Sequence, residues 1–426
     1  MENKEFDVVV IGAGQAGLGM SYFLKQSGRQ HVVFEQKRIG ETWISQRWDS
    51  FQLNTPNCFN CLPGFPYQGM DPDGFWTQAE LVAYFRAYID RFNLPVHTGV
   101  RVTSISLAEE DHQRFCVKVQ AGEKPDECVL SRAVVIASGG QHTPKIPEFY
   151  IRLAEEITQV HTSAYRRPSE LPPGAVVVVG SGQSGVQIAE DLLDEGRKVY
   201  LCTSKVGRVP RRYRGKDMVE WMKEIHFFDV TYNSLENKAL SQQPFPQISG
   251  VGRFGHSVSL QYLASKGAVI LGRLLDVQEG SLILTDNAAE NVRYADDFSR
   301  RMKENVDTYL RDSGKDLPPL EEDPADAPDP CAACAYSLTR LSLGEAGISS
   351  IIWATGFSGN FSWINLPILD ERGHPAHYQG IAPVPGLYFL GFPWLNSRKS
   401  GIIYGIEEDA RRISEAVAGY LTNSKS

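Results

Sequence analysis

Twice in this chain a short β-branched apolar run ends in Gly-x-Gly-x-x-Gly and continues into an apolar-periodic stretch. Phe6 to Ile11 leads into Gly12-Ala13-Gly14-Gln15-Ala16-Gly17 and then Leu18 to Gln26. Ala175 to Val179 leads into Gly180-Ser181-Gly182-Gln183-Ser184-Gly185 and a helical pattern through Leu193. A continuous apolar run bounded by glycine suits a strand buried on both faces. A further apolar run follows each helix, His31 to Glu35 in the first copy and Lys198 to Thr203 in the second. Strand, glycine turn, helix and strand form a βαβ unit, which requires a parallel sheet with a right-handed crossover. The expected fold class is α/β, with two dinucleotide-binding, Rossmann-like domains.

Similar strands close the two copies, Val134-Val135-Ile136-Ala137-Ser138-Gly139 and Ile351-Ile352-Trp353-Ala354-Thr355-Gly356, so the second unit reads as an insertion in the first. The second copy is longer, with its surplus expected at about 286–334. There a charged helical stretch, Tyr294 to Leu310, precedes Pro318, Pro319, Pro324, Pro328 and Pro330 among acidic residues. Proline and charge at that density argue against a packed core, so 312–334 reads as an exposed loop. Val100 to Ser106, Phe115 to Gln120 and Glu127 to Leu130 alternate as a β-meander does. A last helix, about Ile406 to Leu421, returns the chain to the first unit.

A lone glycine motif is weak evidence, because glycine marks any tight strand-to-helix turn. Here the surroundings add to it. Gly12 permits the turn, Gly14 lets the backbone approach a pyrophosphate, and Gly17 lets helix and strand pack closely. The helix start points free N–H groups and its positive dipole end at the phosphates. Glu35, ending the second strand, is placed to accept hydrogen bonds from both ribose hydroxyls. In the second copy Gly180, Gly182 and Gly185 repeat the turn, but the strand ends Cys202-Thr203-Ser204-Lys205 without an acid. Arg208, Arg211 and Arg212 follow. Hydroxyl and cationic donors in place of a carboxylate favour a 2′-phosphate, with Ser204, Lys205 and Arg208 as expected partners. A solvated basic loop from Arg208 to Lys216 is the alternative. Two such sites imply a bound flavin, FAD, and an exchangeable nicotinamide, NADPH, with a hydride passing from the second to the first. The expected organisation is an FAD-binding part over 1–166, an NADPH-binding domain over 167–356, and a return segment of the FAD-binding domain over 357–426.

Both glycine motifs, the Trp43 segment, the stretch Trp48 to Tyr67, Ala354-Thr355-Gly356-Phe357 and Gly386-Leu387-Tyr388-Phe389-Leu390-Gly391 carry a family likeness. On these residues the chain resembles, over nearly its whole length, the class B flavoprotein monooxygenases. That group holds flavin-containing monooxygenases, N-hydroxylases and Baeyer–Villiger enzymes. Arg47 to Tyr67 and Arg211-Arg212-Tyr213-Arg214-Gly215 further resemble a bacterial subgroup of oxidoreductases encoded near nitrilases. The resemblance implies an NADPH- and O₂-dependent FAD monooxygenase that oxygenates a small-molecule substrate through a flavin C4a-(hydro)peroxide. Asn54 falls where family members carry an asparagine beside the flavin, whose amide donates to the peroxide. An Asx-type cap of the Thr55-Pro56 turn is the competing reading. The resemblance also places Trp43, Gly391 and Gly401 against the flavin, Gly401 where the dipole of the last helix favours negative charge on the reduced ring. The family fingerprint F-x-G-x-x-x-H-[ST]-x-x-Y is half present: His161-Thr162 and Tyr165 stand in register, while Glu155 and Ile157 replace Phe and Gly.

Two C-x-x-C pairs, Cys58 with Cys61 and Cys331 with Cys334, keep a dithiol or disulfide reductase open as an alternative. A flavin-binding interaction protein docking through the acidic 312–334 loop is a third reading. The histidines lack the spacing of a metal site, so no metal is expected. A net charge of −8 gives no footprint for nucleic acid. No apolar run approaches the roughly 18 residues of a membrane span, and Met1-Glu2-Asn3-Lys4-Glu5 does not begin a secretory signal. Seven cysteines in a long chain do not make a disulfide framework. The expected location is cytoplasmic; the sequence carries no sign of oligomeric state.

Overall fold

The computed structural model describes residues 5–109, 111, 114–250, 255–328, 337–370 and 373–423. The first sheet holds β1 (Glu5–Ile11), β2 (His31–Glu35), β3 (Val96–Thr98), β4 (Val100–Leu107), β5 (Phe115–Ala121) and β6 (Glu127–Ile136), in the order β3-β2-β1-β6-β5-β4. β1 lies parallel between β2 and β6, so Val9 has Val32 on one side and Val134 on the other. Val8, Val9 and Val10 are fully buried, as a strand covered on both faces requires. The helix α1 (Gln15–Gln26) connects β1 to β2, and α2 (Gln78–Phe92) starts on a capping box in which Thr77 and Glu80 satisfy each other's backbone N–H groups. β6 changes partner along its length, pairing antiparallel with β5 at its start and parallel with β1 at its end. One strand thereby joins the meander to the nucleotide-type sheet.

The second sheet is parallel throughout: β7 (Thr158–His161), β8 (Ala175–Val179), β9 (Val199–Cys202), β10 (Val269–Leu271) and β11 (Ile348–Trp353), ordered β10-β9-β8-β11-β7. α3 (Gln183–Asp194) connects β8 to β9 as α1 connects β1 to β2. α4 (Ala288–Asp312) follows, and then β12 (Leu387–Phe389) returns to the first sheet in parallel beside β6. α5 (Ile406–Asn423) packs on α1, where a Cβ at Gly19 would lie 2.6 Å from the Ile406 side chain. The main apolar core is continuous from the first sheet into one face of the second, joining Val8, Val10 and Val134 to Val176, Val178 and α3. Val177, Ile351 and Trp353 fill the opposite face of the second sheet.

Three expectations change. β7 precedes residue 166 yet is the edge strand of the second sheet, so the chain crosses between units before Thr158. α4 is longer than its charged stretch suggested, and buries Val292, Ala295, Met302, Val306 and Leu310 along one face. The region after α4 is not wholly exposed: Ala325 and Asp326 are buried, and Asp326 pairs with Arg208 and with Lys303. Proline and charge misled there because the charges have buried partners. A disulfide also joins Cys116 on β5 to Cys128 on β6, with Cα atoms 5.6 Å apart, which the cysteine count gave no reason to expect. These cysteines are diagonal neighbours, since Cys116 faces Leu130 and Cys128 faces Lys118.

Asp326→Ala is expected to release the strap 313–328 to proteolysis and to cost about 3 kcal/mol locally, because buried Arg208 loses one of its carboxylate partners. Limited proteolysis with the cut sites read by mass spectrometry checks this; unchanged resistance contradicts the anchoring.

Candidate functional site

The two glycine turns have nearly the same geometry. Gly12 has φ 101°, and a Cβ there would lie 2.6 Å from the Ala137 carbonyl oxygen. Gly180 has φ 112°, with the Ala354 carbonyl oxygen at 2.5 Å. Added Cβ atoms at Gly17 and Gly185 would sit 1.8 and 1.9 Å from the Gly12 and Gly180 carbonyl oxygens. Only glycine fits at all four. Gly14 and Gly182 differ, since among the described residues nothing lies within 4 Å of a Cβ built on either. Both are N-caps whose helices receive no side-chain cap, so the first-turn N–H groups face open space. Crowding under the turn and vacancy above it are what a pyrophosphate requires.

In the first cradle Glu35 Oε2 accepts from Ala13 N at 3.0 Å and Oε1 from Lys37 N at 2.9 Å. These bonds hold the carboxylate against the turn and leave lone pairs for two hydroxyls. Gly391, φ 82°, lets the end of β12 approach α1, where a Cβ would stand 2.5 Å from that of Ala16. Gly401 has φ 88°, and a Cβ there would lie 2.9 Å from Pro393 N. Trp43 is half-buried, with the Arg47 guanidinium 5.0 Å from its ring and Phe51 at 6.1 Å. Burial pulls Arg47 down to about 10, which leaves it cationic at neutral pH.

At the second cradle Ser204 and Lys205 are exposed just past β9. Ser204 N donates to Ser181 Oγ at 3.1 Å, which ties this edge to the glycine turn. Lys205 pairs with exposed Glu290 at 2.7 Å, an ion pair of small net value. Arg208 corrects the expectation. Its side chain is 1% exposed; Nε and Nη2 donate to Asp296 Oδ1 at 2.9 and 2.7 Å, and Nη1 to Asp326 Oδ1. A guanidinium so engaged is structural and unavailable to a phosphate. Arg211 is equally committed, ion-paired with Asp217 and 4.8 Å above the Phe75 ring.

Asn54 lies where the halves meet. Its Oδ1 accepts from Gln187 Nε2 on α3 at 3.1 Å, and its carbonyl accepts from Arg211 Nη1 at 2.8 Å. The Thr55-Pro56 turn is tied instead by Asn60, whose Nδ2 donates to the Thr55 and Pro56 carbonyls at 2.9 and 3.2 Å. Asn54 is therefore free of the capping duty. One turn along α3, Asp191 accepts from Ser50 at 2.7 Å and Tyr165 at 2.6 Å, and burial raises its pKa. His161 Nε2 meets the Gly356 carbonyl at 3.0 Å, and burial lowers its pKa. Gln187, Asp191 and Asn60 were missed from the sequence. The one available signal for Gln187 was an amide among the apolar residues Val186, Ile188 and Ala189.

Neither Cys58 nor Cys61 has thiolate character. Burial pushes Cys58 up to about 11, with Asp73 and Glu220 adding to it, and burial raises Cys61 as well. Tyr67 N donates to Cys61 Sγ at 3.1 Å. Cys331 and Cys334 lie outside the described residues. Among the described residues no group of His, Cys, Asp or Glu is placed to hold a metal, and no helix is long and apolar enough to cross a membrane. Because its thiolate fills only as pH nears 11, Cys58 alkylation by iodoacetamide should climb about tenfold per unit between about pH 7 and 10. Peptide mass spectrometry reads this; a plateau near neutrality contradicts it.

The family model described as pyridine nucleotide-disulphide oxidoreductase matches residues 9–236. An uncharacterized CzcO-like oxidoreductase of Geobacillus kaustophilus is 34% identical over 407 residues, 95% of this chain and 96% of that one. Among solved structures, a flavin-containing monooxygenase from Stenotrophomonas maltophilia has a TM-score of 0.65 at 19% identity, covering 98% of this chain and 99% of its own. A bacillithiol disulfide reductase from Staphylococcus aureus reaches 0.59 at 11% identity, with the same shares of 98% and 99%. Those two likenesses speak for the fold, and the first agrees with the resemblance to class B flavoprotein monooxygenases. The paired glycine turns and the match along the chain lead to one assignment: the protein is an oxidoreductase that belongs to the pyridine nucleotide-disulphide oxidoreductase family, akin to the CzcO-like oxidoreductases.

Proposed function

We propose that this chain is an NADPH- and O₂-dependent FAD monooxygenase acting on a small molecule. The observation that carries the reading is the duplicated cradle with unlike strand ends, Glu35 at one and Ser204-Lys205 at the other. FAD fits the first: Gly12 and Gly17 hold the turn, Gly14 leaves room for the pyrophosphate, and Glu35 faces the ribose. Trp43, Gly391 and Gly401 border that cradle in this reading. NADPH fits the second through Gly180, Gly182 and Gly185, with Ser204 and Lys205 for the 2′-phosphate. When bound, FAD supplies the redox chemistry, accepting a hydride from NADPH and, once reduced, activating O₂.

The protein's own task is to position and to exclude water. Asn54, with Oδ1 engaged by Gln187, offers Nδ2 as a fixed neutral donor near the meeting of the two cradles. A neutral amide steadies a developing negative charge without delivering a full proton, which suits an oxygen species that must persist until substrate arrives. The dithiol reading finds no support in Cys58 and Cys61, whose thiols are held protonated. Oxygen from labelled O₂ appearing in product, in proportion to NADPH consumed, is the deciding measurement; its absence with every amine, sulfide and carbonyl offered sinks the reading.

Two substitutions probe the cradles. Gly14→Ala is expected to keep the fold, since no described residue lies within 4 Å of the new methyl, yet to weaken FAD about tenfold or more by blocking the pyrophosphate approach. Flavin fluorescence titration reads this, and Gly182→Ala should weaken NADP⁺ and not FAD. Lys205→Ala removes a charge-assisted bond and should lower the preference for NADPH over NADH roughly tenfold in kcat/KM. An unchanged preference would put the 2′-phosphate elsewhere.

A further inference from the structure

We infer that Gln187 is a positioning residue for Asn54, setting which end of its carboxamide faces the flavin side; the inference rests on the monooxygenase reading above. The argument is one of hydrogen-bond polarity. Gln187 is 4% exposed on α3, among the buried side chains Val186, Ile188 and Ala189. Its Nε2 lies 3.1 Å from the Gly250 carbonyl and 3.1 Å from Asn54 Oδ1. A carbonyl only accepts, so the Gly250 oxygen requires Gln187 to present its NH₂ on that side. Gly250 is itself held by its N–H donating to the His256 carbonyl at 2.9 Å. With Nε2 so directed, its other hydrogen requires an acceptor from Asn54, which must present Oδ1 rather than Nδ2. The Asn54 NH₂ is thereby turned to the opposite side, where no protein acceptor meets it among the described residues.

One detail shows that the orientation is imposed. Among the described residues Gln187 Oε1 is buried without a partner, so the amide accepts an unsatisfied oxygen in order to keep its NH₂ toward Gly250 and Asn54. The reversed amide would set its one carbonyl oxygen against two other acceptors, the Gly250 carbonyl and Asn54 Oδ1. The Asn54 backbone is fixed separately by Arg211 Nη1 at 2.8 Å, so rotation of the carboxamide is the freedom that Gln187 removes. α3 thus carries two duties, a glycine turn at its N-terminus and the polarity of Asn54 on its flank.

The test uses the FAD-loaded protein with NADPH and a substrate it oxygenates. Gln187→Leu keeps the bulk and removes the donor; Gln187→Glu makes the position an acceptor that draws Nδ2 toward α3. Expected is a several-fold rise in H₂O₂ released per NADPH oxidised in both variants, larger in Gln187→Glu, as also in Asn54→Ala. Because the readout is a ratio, a variant that is merely slower or less stable does not mimic it. A second readout needs no flavin: in the FAD-free protein, the drops in thermal midpoint from Gln187→Leu and Asn54→Ala should be less than additive in the double variant. A raised H₂O₂ share in Asn54→Ala but not in either Gln187 variant overturns the inference and leaves the reading standing. Additive midpoints overturn it as well, because the two amides then do not interact. If no protein, wild type included, incorporates oxygen into product, the monooxygenase reading fails and this inference with it.

Discussion

The structure depends on backbone meeting backbone without a side chain between. At Gly17 and Gly185 the first turn of a helix rests against the carbonyl of the glycine that follows the preceding strand, closer than any Cβ permits. This contact sets the distance between helix and sheet in each half. It also aims the helix N-terminus over the strand ends, where first-turn N–H groups have no side-chain cap and need an acceptor from outside. An unsatisfied helix start is costly inside a protein, and here it occurs twice at corresponding places. The cradle is therefore a demand that the fold makes of its ligand, as much as a cavity left for one.

The halves are coupled through the helix that bears the second demand. α3 presents Gln187 and Asp191 one turn apart on one face, and opposite them a segment of the first half presents Asn54 and Ser50, also four residues apart. The matched spacing makes a register: a slide of one half over the other by a turn would break both bonds together. Tyr165, on the loop from β7 to β8, strengthens it by donating to the same Asp191 carboxylate. The half-present fingerprint is explained in part by this geometry. Its tyrosine holds the Asp191 carboxylate that Ser50 meets from the first half, and its histidine pins the Gly356 carbonyl, while Glu155 and Ile157 stand outside both tasks.

What could be read from sequence divides along the range of the interaction. The βαβ units, Glu35, the meander and the last helix were all legible, because a strand followed by glycine and a periodic helix is a local pattern. β7 was not, because four residues with no apolar alternation declare nothing until β11 lies alongside. The pairing of Asn54 with Gln187 spans 133 positions, and that of Arg208 with Asp326 spans 118. Neither residue of either pair carries a sign of the other. The strap after α4 was misjudged for the same reason: Asp326 in sequence is one acid among many, and in space it completes the shell around a buried guanidinium.

Arg208 and Lys205 show how burial, rather than charge, decides which cation a ligand can reach. Both follow the strand end at which the proposed function places a 2′-phosphate. Arg208 is buried between two carboxylates, and turning it to a phosphate would break charge-assisted bonds in a dry site, a penalty larger than a surface phosphate contact returns. Lys205 and Glu290 are each about half exposed, at 55% and 52%, so water already competes for both. Such a pair exchanges partners at little cost, and a doubly charged phosphate is a stronger partner than one carboxylate. The weakly engaged cation is the one fit to recognise a visiting ligand, and the strongly engaged one is fit to hold the strap.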